Sequence, residues 1–497
     1  MKTPTTPSSK FSKSLKFILG AICWTFIIIL FTIPLCILAI SKVVVILLAK
    51  LVRKDLSSVT TGDAAFTIGC SWEKSKLSLG LLCHVQGHLK LEQVQDRFSS
   101  SLLAPKVGNC PKYEKLFSCL VTFCGYVFSK TLPPEAVDLN KLIYERKLHP
   151  GESLEQVVDD WMEKRYGELM PAWEVMVIPM SRSNNNNDEV KDGIEETIIA
   201  FKMHHVFADG YSLLHLLDIL TNAKAPYLVK EVNESIWKKI LDAISTPVNL
   251  FMLEGPGTNP LKLTKPQTKW IYTFTTVDLA PMKAIRAKYD VHFASIMLSL
   301  IVGSIRQYLL EKEKELPANL SLVDTLPCQL HPSQNHILCN HWTIGIIKSP
   351  LAADNPLERV IETEKNFLRF HEAGLQKVAV NYLFPFAWLF PQFMAEKVLQ
   401  KDRIGFNLGL TSLVGANKYE FLGQRIKMIY PLLTLIDSHP FTVFSWFTFS
   451  HSDKVDITLG AASDLFPCRN SLSKITEDYF HTEFRNLCLQ CGIPLSS

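Results

Sequence analysis

The sequence predicts an α/β protein of two similar-sized lobes behind an N-terminal transmembrane segment. Three observations carry that expectation. The chain has 497 residues, enough for at least two packed cores. Segments with strand period and segments with helix period are interleaved along both halves. One uncharged apolar block stands at the N-terminus. The balance of 52 Lys and Arg against 48 Asp and Glu leaves +4 with no long basic stretch, which excludes a nucleic-acid partner held by phosphate neutralisation. The 47% hydrophobic content excludes a disordered chain.

The anchor occupies residues 1–55. Residues 17–41 carry no charge, and as a helix rising about 1.5 Å per residue they are long enough to cross a hydrocarbon core of about 30 Å. Apolar character resumes after Lys42, which fits a retained anchor rather than a cleaved signal peptide. Pro34 leaves two forms open, one kinked span or a hairpin of half-spans 17–33 and 35–49. Lys10, Lys13 and Lys16 precede the block and Lys50, Arg53 and Lys54 follow it, so charge does not orient it. Twelve cysteines in no regular spacing read as reduced thiols. They point to cytosolic lobes on a membrane such as the endoplasmic reticulum. The sequons at Asn233 and Asn319 would bear only on lumenal lobes, and Cys488 and Cys491 lack a second pair to complete a zinc shell.

The first lobe, residues 56–245, opens with a strand at 81–86, broken by Gly87, and a helix at 91–102 whose apolar positions Leu91, Val94, Phe98 and Leu102 have helical spacing. A helix at 152–166, a strand at 175–178, a polar loop at 181–189 and a strand at 197–203 follow. That strand runs into His204-His205-Val-Phe-Ala-Asp209-Gly210 and an apolar helix at 211–220. Residues 246–269 hold four prolines and two glycines between Thr246 and Thr268 and read as a crossover linker. The second lobe, residues 270–497, should contain a strand at 270–279, a long helix at 291–310 with Arg306, a strand at 340–347 and a strand pair at 442–459 turning at Ser452-Asp453-Lys454. The Phe-rich run 382–393 reads as a buried helix in preference to a membrane-contacting surface.

The stretch 204–210 is the cluster that calls for chemistry. A histidine where a strand gives way to a turn can project into a cleft, and its ordinary pKa near 6.5 suits it to accept a hydroxyl proton. His205 is the candidate base. Asp209, directly before the helix, can cap its backbone N–H groups, and Gly210 can supply positive φ or close approach. The same residues also fit a turn without chemistry. Zinc held by His204, His205 and His215 is disfavoured, because adjacent strand-end histidines point to opposite faces and His-Glu-x-x-His is absent; Cys83, His84 and His88 fare no better. No Gly-x-Ser-x-Gly elbow, phosphate-binding loop or dinucleotide fingerprint is present, which removes serine hydrolases, P-loop enzymes and dinucleotide oxidoreductases as leading readings.

Residues 204–210 resemble the HHxxxDG signature of the wax ester synthase/diacylglycerol acyltransferase family, within the CoA-dependent acyltransferase superfamily. Pro171-Ala-Trp173-Glu174 is similar to its Pro-Leu-Trp-Glu stretch, 298–309 with Arg306 to its central helix, Cys339-Asn340 to a Gly-Asn element, and Ser412-Leu-Val-Gly415 to its C-terminal Ser-Asn-Val-x-Gly-Pro segment. The resemblance covers about residues 56–490. It implies a two-lobed CoA-dependent acyltransferase-like fold and transfer of a fatty acyl group from acyl-CoA to a long-chain alcohol or diacylglycerol, with His205 as base, His204 shaping the turn, membrane lipids as surroundings and no metal or redox cofactor. Ala294-Ser295 stands where the family carries Asn-Asp, and Leu413 replaces the C-terminal Asn. The oxyanion donor implied for that Asn then falls to Ser295, a backbone N–H or Asn340. A membrane lipid-binding or transport protein that has lost turnover is the competing expectation.

Overall fold

The computed structural model describes residues 8–64, 77–181, 194–226, 235–252, 261, 269–327, 337–372, 384–394, 408–434, 444–466 and 468–494. Two six-stranded sheets form its frame. The first orders its strands Glu420–Phe421, Gln424–Thr434, Ser78–Gln86, Ile194–His204, Trp173–Ser181 and Ile143–Glu145. The second orders them Trp270–Asp278, Lys454–Ala462, Phe444–His451, Leu408–Val414, Asn319–Pro327 and Trp342–Pro350. The sheets do not divide the chain at one point. Gln424–Thr434, within the stretch expected to form the second lobe, pairs antiparallel with Ser78–Gln86 in the first sheet, and Glu420–Phe421 pairs with it in turn. Most of the polar loop 181–189 and most of the linker lie outside the described residues, but the linker's first residues, 246–252, are the end of a helix, Ile236–Met252.

Each sheet buries an apolar face under helices. Val94 and Phe98 of helix Leu91–Phe98 and Leu213, Leu216, Leu217 and Leu220 of helix Gly210–Thr221 share one core with Leu81, Cys83, Ile199 and Phe201. The central helix Phe293–Glu311 is apolar nearly all round because it lies inside the second core. Burial of such side chains contributes about 25 cal/mol per Å² of apolar surface.

Polar contacts tie the lobes together. The edge strand Trp270–Asp278 would leave backbone N–H groups open; Glu163 accepts that of Trp270 at 2.9 Å and Asp159 that of Tyr272 at 3.0 Å, both from helix Leu154–Glu163 of the first lobe. Between the sheets, the buried Asp456 carboxylate accepts from Ile429 N–H at 2.6 Å and from Thr276 Oγ1 and His451 Nε2 at 2.8 Å each.

The N-terminal block is one continuous helix, Ser8–Val52, with Pro34 inside it, so the hairpin form is not the one adopted. Ile18, Phe26, Ile29, Ile33 and Ile37 stand exposed along it, as on a helix apolar and long enough to cross a membrane. Its C-terminal turns dock on a small sheet of Leu56–Ser58, Tyr126–Thr131 and Ser118–Phe123. Lys42 is buried there, its ammonium 4.3 Å from the Tyr126 ring centre and 5.2 Å from that of Trp388. Trp388 belongs to the Phe-rich run. Within helix Phe384–Leu389 Ala387 is buried, whereas Phe386 and, beyond the helix, Phe393 are exposed, so the run is core only in part.

Candidate active site

Strand Ile194–His204 delivers the motif. Its last residue pairs with Ser78, and the His205 N–H continues the ladder by one bond, to Leu77 O at 3.2 Å. The chain then turns, with Phe207 N–H donating to His204 O at 3.0 Å. His204 points inward: its Nδ1 accepts the Val206 N–H at 3.2 Å and its ring lies against Tyr166, whose hydroxyl meets Ser78 Oγ at 2.9 Å. Burial, with a smaller contribution from His205, pushes the His204 imidazole down to about 3, so it stays neutral and serves the turn.

His205 stands at the junction of the lobes. Its Nδ1 lies 3.0 Å from Asn340 Oδ1, contributed by the segment before strand Trp342–Pro350. Burial lowers its pKa from the ordinary value, opposed by hydrogen bonding to its own carbonyl, the Asp209 charge, and hydrogen bonds to Asn340 and the Ala208 carbonyl. A neutral imidazole is the form that accepts a proton.

Asp209 is the N-cap of helix Gly210–Thr221, its Oδ1 accepting the Ser212 N–H at 2.9 Å. Its other oxygen accepts the His341 N–H at 2.8 Å, and its own N–H donates to Cys339 O at 3.1 Å. Ser212 Oγ donates to that same carbonyl at 2.9 Å. The motif loop and residues 339–341 are thus laced together. Gly210 does not adopt positive φ; a Cβ there would lie 3.1 Å from Leu413 Cδ2, so close approach is the reason for glycine.

Of the expected oxyanion donors, Asn340 stands against His205 with its amide already engaged, and Ser295 lies apart from it. The Asn340 amide nitrogen donates to His205 O at 2.7 Å, Val206 O at 3.1 Å and Asp63 Oδ1 at 3.1 Å, which engages it within the loop. Ser295, in the first turn of the central helix, sits beside His292 and Glu364, and no described hydrogen bond joins it to His205 or Asn340. Arg306 pairs with Asp354. His215 meets Tyr113, with Nε2 3.3 Å from the hydroxyl, and His84 meets Glu196, so neither set of histidines converges on a metal among the described residues.

Sequence reasoning missed Asp63. Its carboxylate is buried beside Asn340 and receives Lys115 Nζ at 2.6 Å. A signal was present: Thr60-x-x-Asp63 has capping-box spacing, and Asp63 N–H does donate to Thr60 Oγ1 at 3.3 Å.

Two such sheets, joined by an exchanged strand and carrying HHxxxDG at their junction, define the two-lobed fold of CoA-dependent acyltransferases and condensation domains. The wax ester synthase/diacylglycerol acyltransferase from Marinobacter aquaeolei VT8 has this fold, with a TM-score of 0.57 at 16% identity over 88% of this chain and 100% of that one. So do the trichothecene 15-O-acetyltransferase from Fusarium sporotrichioides, at 0.60 and 10% identity over 86% and 95%, and the starter condensation domain of rhizomide synthetase, at 0.54 and 8% over 88% and 96%. At these identities the structures establish the fold alone. The particular resemblance holds in sequence too: residues 339–485 match the family model of the WS/DGAT C-terminal domain. A candidate diacylglycerol O-acyltransferase of Mycobacterium tuberculosis (strain CDC 1551 / Oshkosh) is 22% identical over 306 residues, 54% of this chain and 58% of that protein. The chain thus spans little more than half of that relative's length.

Proposed function

We propose that the protein is a membrane-bound O-acyltransferase that moves a fatty acyl group from acyl-CoA to a long-chain alcohol or diacylglycerol. The observation that carries this reading is His205, held by residues 339–341 of the WS/DGAT-like segment where the two lobes meet. His205 Nε2 takes the hydroxyl proton as the alcohol oxygen attacks the thioester carbon. The tetrahedral intermediate collapses with cleavage of the C–S bond, and the imidazolium returns its proton to the leaving thiolate, giving ester and free CoA. Neither an acyl-enzyme nor a metal is needed.

The N-terminal helix supports a membrane setting. Substrates that gain about 0.8 kcal/mol per buried CH₂ on entering a bilayer are reached from its surface. The free thiols of the ten described cysteines support lobes on the cytosolic side, with the endoplasmic reticulum as the membrane. The test incubates membranes containing the protein or H205A with labelled acyl-CoA and each acceptor. Ester formation that falls roughly 10²-fold or more in H205A, with the fold retained, supports the reading. Equal ester formation by the two proteins removes His205 as base. Lipid binding without ester formation by the wild type favours the transport alternative, and free fatty acid as the main product makes the enzyme a hydrolase.

A further inference from the structure

We propose that Asp63 is the positioning residue that fixes His205 in the tautomer a base requires, acting through Asn340. The inference rests on the reading of His205 as that base. Three acceptors surround the Asn340 amide nitrogen: His205 O, Val206 O and Asp63 Oδ1, at 2.7, 3.1 and 3.1 Å. A flipped amide would set its oxygen against three other oxygens. The nitrogen therefore stays on that side, and Oδ1 faces His205 Nδ1 at 3.0 Å. An amide oxygen only accepts, so Nδ1 must carry the proton. A neutral imidazole has one N–H, which leaves the lone pair on Nε2.

Two of those three acceptors are backbone carbonyls that any residue would supply. Asp63 is the side chain among them. Its Oδ1 also accepts the Asn340 backbone N–H at 3.0 Å, so one oxygen holds both the main chain and the amide of Asn340. Its Oδ2 is held by Lys115 at 2.6 Å, and the carboxylate is only 2% exposed, so water does not compete for it. The preceding residue is shaped to this approach: a Cβ on Gly62 would lie 1.9 Å from Asn340 O. A carboxylate serving only as Lys115's partner would need neither bond to Asn340.

Full-length protein in membranes, with D63A and D63N, tests this. D63N retains an acceptor oxygen for both Asn340 donors when its amide nitrogen takes the place of Oδ2 and the partly exposed Lys115 turns to solvent; D63A removes the acceptor. D63A is expected to lower kcat roughly 10²-fold while KM for acyl-CoA stays within about twofold, and D63N to remain within about tenfold of wild type. If D63A does not fold, D63S, whose shorter side chain no longer reaches Asn340, replaces it with the same expectation. Long-range proton–nitrogen spectra of histidine-labelled protein read the tautomer directly: Nδ1–H with unprotonated Nε2 in wild type and D63N, and a mixture in D63A or D63S. Equal loss of kcat in D63N and D63A, or an unmixed Nδ1–H form in D63A or D63S, overturns the proposal. The spectra need no turnover, so a wild type that makes no ester overturns the proposed reaction and leaves this test standing.

Discussion

Asp209 accepts the backbone N–H of His341 at 2.8 Å with one carboxylate oxygen while the other caps the helix that follows it. The Asp of HHxxxDG therefore acts as a brace between the motif and a loop 132 residues further on, with no described hydrogen bond to the histidine itself. Its charge still favours the imidazolium that forms when His205 takes a proton.

Replacing Asp209 by Ala removes the cap and the brace together. A lost cap costs about 0.5–2 kcal/mol and a lost hydrogen bond to a charged group about 1.5–3 kcal/mol, so D209A should be destabilised by about 2–5 kcal/mol. Denaturant unfolding of the detergent-solubilised protein measures this. D209N, which keeps an acceptor for one N–H, should lie between D209A and wild type.

The pH dependence follows from the direction of the histidine shifts. Burial lowers the pKa of both His204 and His205 in the folded protein, so each remains neutral where the unfolded chain would already bind a proton. The unfolded state then holds more protons, and stability falls as pH drops below about 6.5, by about 1.4 kcal/mol per unit for each histidine until its folded pKa is reached, for His204 at about 3. The acid limb of kcat/KM should likewise lie below pH 6.5, because His205 keeps its lone pair there. A limb at or above 6.5 in a pH–rate profile would contradict this.

The second core contains a buried ion pair, Arg359 with Glu483 at 2.5 Å, joined by Gln307 Nε2 to Glu483 Oε1 at 2.7 Å. E483A strands the guanidinium and should destabilise the protein by about 3–5 kcal/mol. R359M with E483L removes both charges and should recover much of that loss, which thermal unfolding of the two variants can compare.

A protein beginning at Ser41 retains the Lys42 clamp and the small sheet but loses the exposed apolar helix. It should be released from membranes by alkaline carbonate, whereas the full chain stays in the pellet. Retention of the shortened protein would show that a second surface holds it to the bilayer.

Local pattern in the sequence reached far into this fold. Helical spacing at Leu91, Val94 and Phe98 reports which face of that segment avoids water, the short apolar-rich run 197–203 reads as a strand buried on both faces, and both elements stand where those patterns place them. The edges were less legible. Asn340 reads as the start of a strand that opens at Trp342, because the loop before it is fixed by Asp63 and His205 rather than by its own propensity.

By itself, then, the sequence determined the apolar N-terminal helix, the interleaved strands and helices of two lobes, and the motif that singles out His205. Those follow from hydrophobic period, turn chemistry and residue type, which act over a few neighbours. The tertiary structure alone decided that Glu420–Thr434 completes the first sheet, that Asn340 turns its oxygen to His205, that Ser295 lies beside Glu364, and that Asp63 stands behind Asn340. Asp63 and Asn340 are 277 positions apart. No local pattern encodes such a pairing, because it arises only when two sheets have packed and a buried amide must satisfy every donor it carries.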